Sequence, residues 1–222
     1  MVFPAGCTWL LQAAADVPRD DDWLSPIERV RLGQLRIAKR RADWRLGRWT
    51  AKHAAAAALG VGYARIAVIA TESGAPLALL DGVPAPVAIS LSHAAGRGLC
   101  AVASPGVAIG CDLECIAPRR AAFLRDYFTA AERRQVGTDA RRATLVWCAK
   151  EAVLKAIGEG LREDTRAVEV TIGGVQADGR TRLEVVHAGR HFAVGCRELD
   201  GLVAVIAIGC PARQSSAMRG CG

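Results

Sequence analysis

The chain has 222 residues, of which 51% are hydrophobic and 5% aromatic, and its formal net charge is +7. This length suits one large domain or two of about 100 residues each, with a core filled mainly by aliphatic side chains. The longest clear apolar run, residues 202–210, is shorter than the roughly 18 residues that a membrane-spanning helix needs. Residues 1–16 lack the pattern of a signal peptide, so we expect a cytoplasmic protein with no membrane partner.

The charge favours an anionic partner, either nucleic acid, an acidic protein surface or a phosphate-rich small molecule, and does not choose among them. The eight cysteines are scattered and form no CxxC pair, which predicts free, mostly buried thiols rather than a disulfide framework.

The first predicted helix begins at Ser25-Pro26-Ile27-Glu28, which combines an N-cap serine, a proline at the first helical position and a capping-box glutamate. Helical pattern continues, with or without a break, to about Leu59, and Gly60 and Gly62 end it. The segment is strongly basic and is therefore the first candidate for phosphate binding; its positive residues are Arg29, Arg31, Arg36, Lys39, Arg40, Arg41, Arg45, Arg48 and Lys52.

Short strands are predicted next, with a turn at Ser73-Gly74-Ala75-Pro76 after the first of them and a proline-containing loop behind it. The predicted strands of this part are residues 66–70, 88–92, 99–103 and 107–113. A break near Ser104-Pro105-Gly106 divides the chain into an N-terminal subdomain, residues 1–105, and a C-terminal subdomain, residues 106–212. We expect residues 213–222 to form a flexible tail.

The second half repeats the succession of helices and strands. A capping box at Thr129-Ala130-Ala131-Glu132 starts one helix, and a longer helix covers residues 140–157. Four strand-like segments follow, residues 167–172, 182–187, 192–198 and 202–208. The predicted fold is α+β, with two similar subdomains that each pack a small, mainly antiparallel sheet with helices, although the two halves show no clear sequence repeat.

Two carboxylates occur in Gly110-Cys111-Asp112-Leu113-Glu114. Residues two apart on a strand share a face, so Asp112 and Glu114 would lie side by side. Close carboxylates repel each other unless a cation lies between them, and oxygen ligands select a hard ion such as magnesium. An ordinary exposed strand end is the alternative interpretation of this motif.

The helix that contains Trp147, Glu151 and Lys155 carries the complementary chemistry. The four-residue spacing places these side chains on one face, where Glu151 can be a third oxygen ligand or a general base and Lys155 can contact phosphates. A simple Glu–Lys pair on a helix surface is the alternative.

Two further features carry weaker signals. Ser92-His93 follows directly on a predicted strand, where a hydroxyl and an imidazole can contact a phosphate or a ribose, although a lone histidine often only completes local hydrogen bonds. Gly74-Ala75-Pro76 makes a tight bend whose backbone could lie against a flat base, or it is a plain turn.

Taken in order, these motifs resemble those of the surfactin-synthetase-activating (Sfp-type) 4′-phosphopantetheinyl transferases. The resemblance spans residues 25–160 and is carried by Arg40, Arg48, Gly74-x-Pro76, Ser92-His93, Gly110-x-Asp112-x-Glu114 and Trp147-x-x-Lys150-Glu151-x-x-x-Lys155. It implies a monomer of two pseudo-equivalent α+β halves, with magnesium (or manganese) and coenzyme A in the cleft between them. Such an enzyme transfers phosphopantetheine from coenzyme A to a serine of an acyl or peptidyl carrier protein.

The resemblance also implies roles for individual residues. Asp112, Glu114 and Glu151 match the metal ligands, and Lys155 matches the lysine that binds the pyrophosphate, with Lys150 assisting. Arg40, Arg48, Ser92 and His93 match positions that hold the nucleotide and its 3′ phosphate, and Gly74, Ala75 and Pro76 lie near the adenine. Two positions depart from the pattern: Ala75 stands where some relatives have lysine, and Glu28 where some have a basic residue.

The chemistry of the residues agrees with that reaction. A serine hydroxyl attacks the β-phosphorus while a bisphosphorylated adenosine leaves; Glu151 is expected to bind the metal and accept the serine proton, and Lys155 to stabilise the growing charge. The basic charge then suits an acidic, transiently bound carrier protein rather than nucleic acid. Two rival functions are a magnesium-dependent phosphodiesterase and a relative that binds coenzyme A or a carrier without turnover.

Overall fold

The structure is a computed structural model that describes residues 4–175 and 181–209. The predicted tail, residues 213–222, lies outside the described residues. Within those ranges, no helix is both long enough and apolar enough to cross a membrane.

Eleven strands and five helices make up the described chain. The strands are β1 (Cys7–Ala13), β2 (Ile66–Ala70), β3 (Pro76–Leu80), β4 (Val83–Pro84), β5 (Ala88–Ala94), β6 (Arg97–Ala103), β7 (Ile109–Cys115), β8 (Val168–Val175), β9 (Thr181–His187), β10 (Arg190–Leu199) and β11 (Leu202–Gly209). The helices are α1 (Pro26–Gly33), α2 (Ala38–Leu59), α3 (Ala121–Tyr127), α4 (Ala130–Val136) and α5 (Ala140–Ala156). Short 3₁₀ turns occur at Ala14–Asp16, Tyr63–Arg65, Gly160–Arg162 and Thr165–Ala167.

Every strand pairing within the three sheets is antiparallel. The sheet orders are β1-β6-β5, β2-β3-β4 and β7-β11-β10-β9-β8. Helix α2 packs on the N-terminal sheets and α5 packs on β7, β8 and β11. This arrangement confirms the predicted α+β class of antiparallel sheets packed with helices.

The two halves use the same topology. Strands β1, β5 and β6 pair with one another as β7, β10 and β11 do, and the β2–β3 pair corresponds to the β8–β9 pair. Helices α1 and α2 precede β2 just as α4 and α5 precede β8, so the order of elements is also repeated. Helix α3 and the short strand β4 are additions without a counterpart.

A buried ion pair fastens the first helices to a strand in the N-terminal half. Glu28 closes the capping box with Ser25, and its Oε2 atom accepts a hydrogen bond of 3.0 Å from Lys52 Nζ. Its Oε1 atom accepts a bond of 2.9 Å from the backbone N–H of Val68. Both charged side chains are at most 1% exposed, so pairing compensates the charges where water cannot.

An equivalent buried ion pair links helices to a strand in the C-terminal half. Glu132 closes the capping box with Thr129, and its Oε1 atom lies 2.9 Å from Lys150 Nζ. That oxygen also accepts a bond of 2.9 Å from the N–H of Val170. Each lysine lies near an aromatic ring, Lys52 at 5.9 Å from Trp23 and Lys150 at 5.8 Å from Phe128.

These two buried ion pairs reveal a short sequence repeat, which corrects the expectation that the two halves show no clear repeat. Lys52 belongs to Trp49-Thr50-Ala51-Lys52 and Lys150 to Trp147-Cys148-Ala149-Lys150, so both follow a W-x-A-K pattern. The match is short, and it becomes meaningful because each lysine pairs with a buried glutamate from the capping box of an earlier helix, Lys52 with Glu28 and Lys150 with Glu132.

Two serine hydroxyls connect the halves. Strands β5 and β7 run side by side in the same direction, and the hydroxyl of Ser90 accepts the N–H of Cys111 at 3.0 Å. The hydroxyl of Ser92 accepts the N–H of Leu113 at 3.2 Å. Side chains thus replace the carbonyl partners of an ordinary ladder, which satisfies the backbone of β7 at the junction.

Gly110 allows β7 to lie directly against α5. A Cβ atom at this position would come within 1.8 Å of the Ala152 carbonyl oxygen and 2.6 Å of the Ala156 nitrogen. No side chain fits in that space, so the glycine sets how closely the strand that carries Asp112 approaches the helix that carries Lys155.

Several elements differ from the sequence prediction. The predicted strand at residues 66–70 coincides with β2, but β1, β3 and α3 were not predicted. Strand β3 follows the predicted turn at once, where the nearby prolines favour a loop. Helix α3 has no side-chain cap at Arg120, so it lacks the N-terminal signal that identified α1 and α4.

Candidate active site

Two adjoining hollows form a cleft between the halves. Their volumes are about 620 and 560 Å³, and both are lined by Gly74, Pro76, Leu91 and Lys155. Lys155 comes from α5 of the C-terminal half, whereas the other three come from the N-terminal half. The four shared lining residues make the two hollows adjacent parts of the cleft between the halves.

The first hollow contains most of the residues predicted to bind the nucleotide. The predicted residues among those lining it are Arg40, Arg48, Gly74, Pro76, Ser92, His93 and Lys155. Leu35, Asp43, Trp44 and Gly47 also contribute and were not predicted. Arg40, Trp44 and Arg48 recur every four residues on α2, a spacing that could have identified Trp44.

Arg48 has an environment suited to an anion. Its guanidinium carbon lies 4.7 Å from the centre of the Trp44 ring, and its Nε atom is buried without a hydrogen-bond partner. Burial lowers the pKa of Arg48, Glu28 opposes this effect and Arg31 adds to it. A phosphate in the hollow would supply the missing acceptor and the missing negative charge.

The second hollow lies beyond the turn that precedes β3. Ala75 lines it together with Gly158, Glu159, Gly160 and Arg162, which follow α5. The sequence showed the two glycines of this group only as a helix stop. These glycines also line the cleft, together with the Gly74-Ala75-Pro76 bend that is predicted to lie against a base.

Asp112 lies at the centre of the hydrogen bonding between the halves. Its Oδ1 atom accepts bonds of 2.9 Å from Ser92 Oγ and 2.6 Å from Lys155 Nζ. Its Oδ2 atom is buried and has no partner. A buried carboxylate oxygen without a hydrogen-bond donor is costly, and a bound cation would relieve that cost.

Both carboxylate oxygens of Glu114 accept hydrogen bonds. Trp147 Nε1 donates to Oε1 at 3.2 Å, and Arg119 donates to Oε2 at 2.9 Å. The rings of Phe123 and Tyr127 pack edge-on against Trp147, with centroids 4.8 and 5.2 Å away. The sequence did not identify Arg119 or this aromatic group as part of the site.

Glu151 is partly buried beside the other two carboxylates. Burial raises its pKa, Lys155 acts in the opposite direction, and the charges of Asp112 and Glu114 raise it further. The three acidic groups therefore interact electrostatically, and the raised pKa makes Glu151 a better proton acceptor than an ordinary exposed glutamate.

Lys155 keeps its positive charge despite partial burial. Burial alone would lower its pKa, but Asp112 outweighs that effect, together with Cys111 and Glu151, and the pKa is raised. Its Nζ atom also donates to the Cys111 carbonyl at 3.2 Å. The ammonium is thereby held at the point where both hollows meet.

The predicted metal ligands fit magnesium chemically but are not gathered around one point. Within the described ranges, no three Asp, Glu, His or Cys side chains are arranged as a metal-binding group. All donors of Asp112, Glu114 and Glu151 are oxygens, which suits Mg²⁺ or Mn²⁺. The unpartnered Asp112 oxygen and the repulsion acting on Glu151 are both features that a bound cation would relieve.

Lys150 is not part of the cleft. Its side chain is fully buried, pairs with Glu132, and donates to the carbonyls of Thr165 and Val168 at 2.9 and 2.5 Å. The expectation that Lys150 assists with phosphates is corrected, because every donor direction of its ammonium is already used inside the C-terminal half. Glu28, one of the two positions that depart from the family pattern, likewise has a structural role, because it pairs with the buried Lys52.

A basic cleft beside interacting carboxylates has the chemistry that a phosphorylated, metal-associated ligand would need. Residues 108–194 match the family model described as the 4′-phosphopantetheinyl transferase superfamily. This match covers β7, α3, α4, α5 and much of the sheet behind them, which is less than half of the chain. No curated protein matches the chain.

Three of the solved structures that match the chain do so at low identity and with TM-scores below 0.5. The holo-(acyl-carrier-protein) synthase of Bacillus anthracis, in complex with CoA (3′,5′-ADP), is 20% identical over 46% of this chain and 97% of its own, with a TM-score of 0.38. The Helicobacter pylori enzyme, in complex with coenzyme A, is 18% identical over 44% and 98%, with a TM-score of 0.36. The Mycobacterium tuberculosis acyl carrier protein synthase is 23% identical over 47% and 98%, with a TM-score of 0.31.

Proposed function

We propose that this protein is an Sfp-type, magnesium-dependent enzyme that transfers 4′-phosphopantetheine from coenzyme A to a serine of an acyl or peptidyl carrier protein. The observation that carries the proposal is the position of Lys155. Its ammonium is fixed on Asp112 and faces both hollows of a cleft lined by arginines.

Coenzyme A carries a pyrophosphate and a separate 3′ phosphate, and the cleft has basic groups for both. Lys155 is assigned to the pyrophosphate at the shared wall, with Ser92 and His93 beside it. Arg40 and Arg48, both on α2, are assigned to the 3′ phosphate. The adenine is assigned to the bend that contains Gly74 and Pro76.

The transfer exchanges one phosphorus–oxygen bond for another. The carrier serine oxygen attacks the β-phosphorus, the bond from that phosphorus to the bridging oxygen breaks, and adenosine 3′,5′-bisphosphate leaves with the electron pair. Glu151 accepts the serine proton, directly or through water, as its raised pKa permits. Lys155 stabilises the charge that grows on the departing phosphate.

Asp112, Glu114 and Glu151 are assigned as ligands of the magnesium ion. When bound, the ion neutralises charge on the pyrophosphate and so favours attack by a neutral hydroxyl. Ser92 holds Asp112 in place through a hydrogen bond of 2.9 Å from its hydroxyl to Asp112 Oδ1.

The carrier is assigned as an acidic, transiently bound partner. The net charge of +7 favours encounter with a negatively charged surface. The two topologically equivalent halves in one chain supply both walls of the cleft, which supports a monomeric enzyme.

The decisive experiment is to incubate the protein with Mg²⁺, coenzyme A and an apo carrier domain, and to measure the intact mass of the carrier. A gain of one phosphopantetheine group supports the proposal. Glu151→Gln should abolish most of the gain, whereas Glu169→Gln, which removes an exposed carboxylate on β8, should not. An unchanged carrier mass with coenzyme A bound would instead indicate a binding protein without turnover.

A further inference from the structure

The three carboxylates of the site are held in different ways. Asp112 has one oxygen bonded and one oxygen free. Glu151 makes no hydrogen bond or ion pair within the described ranges of the chain and interacts with its neighbours only through charge. Glu114 differs from both, because each of its oxygens already has a donor.

One of the donors to Glu114 is a full positive charge. Arg119 follows β7 by four residues and reaches back to Glu114, with a nitrogen–oxygen distance of 2.9 Å. Its guanidinium carbon also lies 5.2 Å from the centre of the Phe123 ring. The other donor, Trp147, is neutral and is fixed by the rings of α3.

We propose that Arg119 is an internal counter-ion that occupies Glu114 until a divalent cation takes its place. The inference rests on the proposed function and adds a positioning residue to it. In this arrangement Asp112 and Glu151 offer oxygens to the ion first, and Glu114 completes the set when Arg119 gives up its bond.

This role explains why suitable ligands are present without forming a gathered metal-binding group in the described chain. Arg119 pairs with Glu114 and Lys155 pairs with Asp112, so two of the three carboxylates already have a cationic partner within the chain. Arg119 can release Glu114 without losing its support, because the Phe123 ring holds the guanidinium independently. The fold thus lowers repulsion among its carboxylates at the expense of affinity for the free ion.

The test is the affinity of the complete chain for Mn²⁺ without coenzyme A, measured from the electron paramagnetic resonance signal of the free ion. Arg119→Gln should bind Mn²⁺ about threefold to tenfold more tightly than the wild type, because Glu114 loses its competing cation. Arg119→Lys should give an intermediate affinity, since a lysine retains the charge but not the planar fork.

Arg120→Gln is the matched control. It removes the same charge from the adjacent position, and Arg120 has no hydrogen bond or ion pair to Glu114. An unchanged affinity in this variant together with tighter binding in Arg119→Gln supports the proposal. Equal or weaker binding in Arg119→Gln, equal tightening in both variants, or no Mn²⁺ binding by any of them overturns it.

Folding and activity are measured on the same preparations. If Arg119→Gln loses its cooperative thermal transition, the affinity of Arg119→Lys decides the outcome, and an affinity at or below the wild-type value overturns the inference. Transfer of phosphopantetheine by the wild type tests the proposed function separately. A wild type that modifies the carrier while Arg119 has no effect on Mn²⁺ affinity refutes only the inference.

Discussion

Lys155 and Asp112 lie 43 residues apart in the chain, yet Lys155 Nζ and Asp112 Oδ1 are 2.6 Å apart. The bond connects α5 to β7 at the point where Ser92 of the N-terminal half also contacts Asp112. This oxygen of Asp112 therefore links β5, β7 and α5. The lysine that it binds lines both hollows of the cleft.

Removing the amine should abolish most of the activity. Lys155→Met is expected to lower the transfer rate by about 100-fold or more, since a preorganised donor is lost from the leaving phosphate. The rate of holo-carrier formation at saturating coenzyme A measures this effect. Lys39→Met, which removes an exposed lysine on α2, should keep near wild-type activity; comparable losses in the two variants would disprove the assignment.

Lys150→Met tests the structural role of the neighbouring lysine. Breaking its fully buried pair with Glu132 should reduce the free energy of unfolding by about 3–5 kcal/mol, while the folded fraction binds coenzyme A normally. Urea unfolding and calorimetric titration measure the two quantities. Lys52→Met is the equivalent change in the other half and should destabilise similarly. A large loss of coenzyme A affinity confined to Lys150→Met would return this residue to the binding site.

Gly110→Ala should separate β7 from α5. A new Cβ atom would meet the backbone of Ala152, which cannot rotate away, so we expect a loss of about 1–3 kcal/mol in unfolding free energy or more. A fall in transfer rate should accompany it, because Asp112 and Lys155 lie on the displaced elements. Gly33→Ala meets no atom within 4 Å and should be tolerated. Unchanged melting temperature and activity in Gly110→Ala would contradict the close approach.

Alkaline conditions should weaken the fold through Cys111. Burial raises the pKa of this thiol from an ordinary 9.0 to about 11. Between these values the unfolded chain releases the proton and the folded chain keeps it, so stability present below pH 9.0 is lost as the pH rises toward about 11. The slope from this group is about 1.4 kcal/mol per pH unit.

Urea unfolding at several pH values under reducing conditions measures that slope. Cys111→Ala should flatten the decline, whereas Cys115→Ala, at an exposed position, should leave it unchanged. Identical slopes in the wild type and Cys111→Ala would show that this thiol does not couple folding to pH.

Sequence signals predicted the starts of helices well where each signal corresponds to hydrogen bonds between residues that are close in the chain. Ser25 and Thr129 cap helices as predicted, because each capping box is complete within four residues. Strand β3 was missed because its pairing with β2 is a tertiary feature that the neighbouring prolines obscure. Helix α3 was missed because it forms without a capping side chain.

The site was predicted only in part, for a geometric reason. Consecutive helical residues differ by about 100° in direction, so Lys150 and Glu151 are neighbours in sequence but lie on different faces of α5. The motif named both, and only packing shows that one faces the core and the other the carboxylates. Arg119 escaped notice because its bond to Glu114 depends on how the loop after β7 folds back.

The repeated Glu–Lys ion pair allows the two halves to be compared position by position. His53 follows Lys52 where Glu151 follows Lys150, and Ala57 stands where the other half has Lys155. The N-terminal half thus has the buried ion pair but neither the acid nor the amine at the equivalent positions, and its long helix instead presents Arg48 and Trp44 to the cleft. The same buried ion pair therefore supports a different set of cleft-lining side chains in each half.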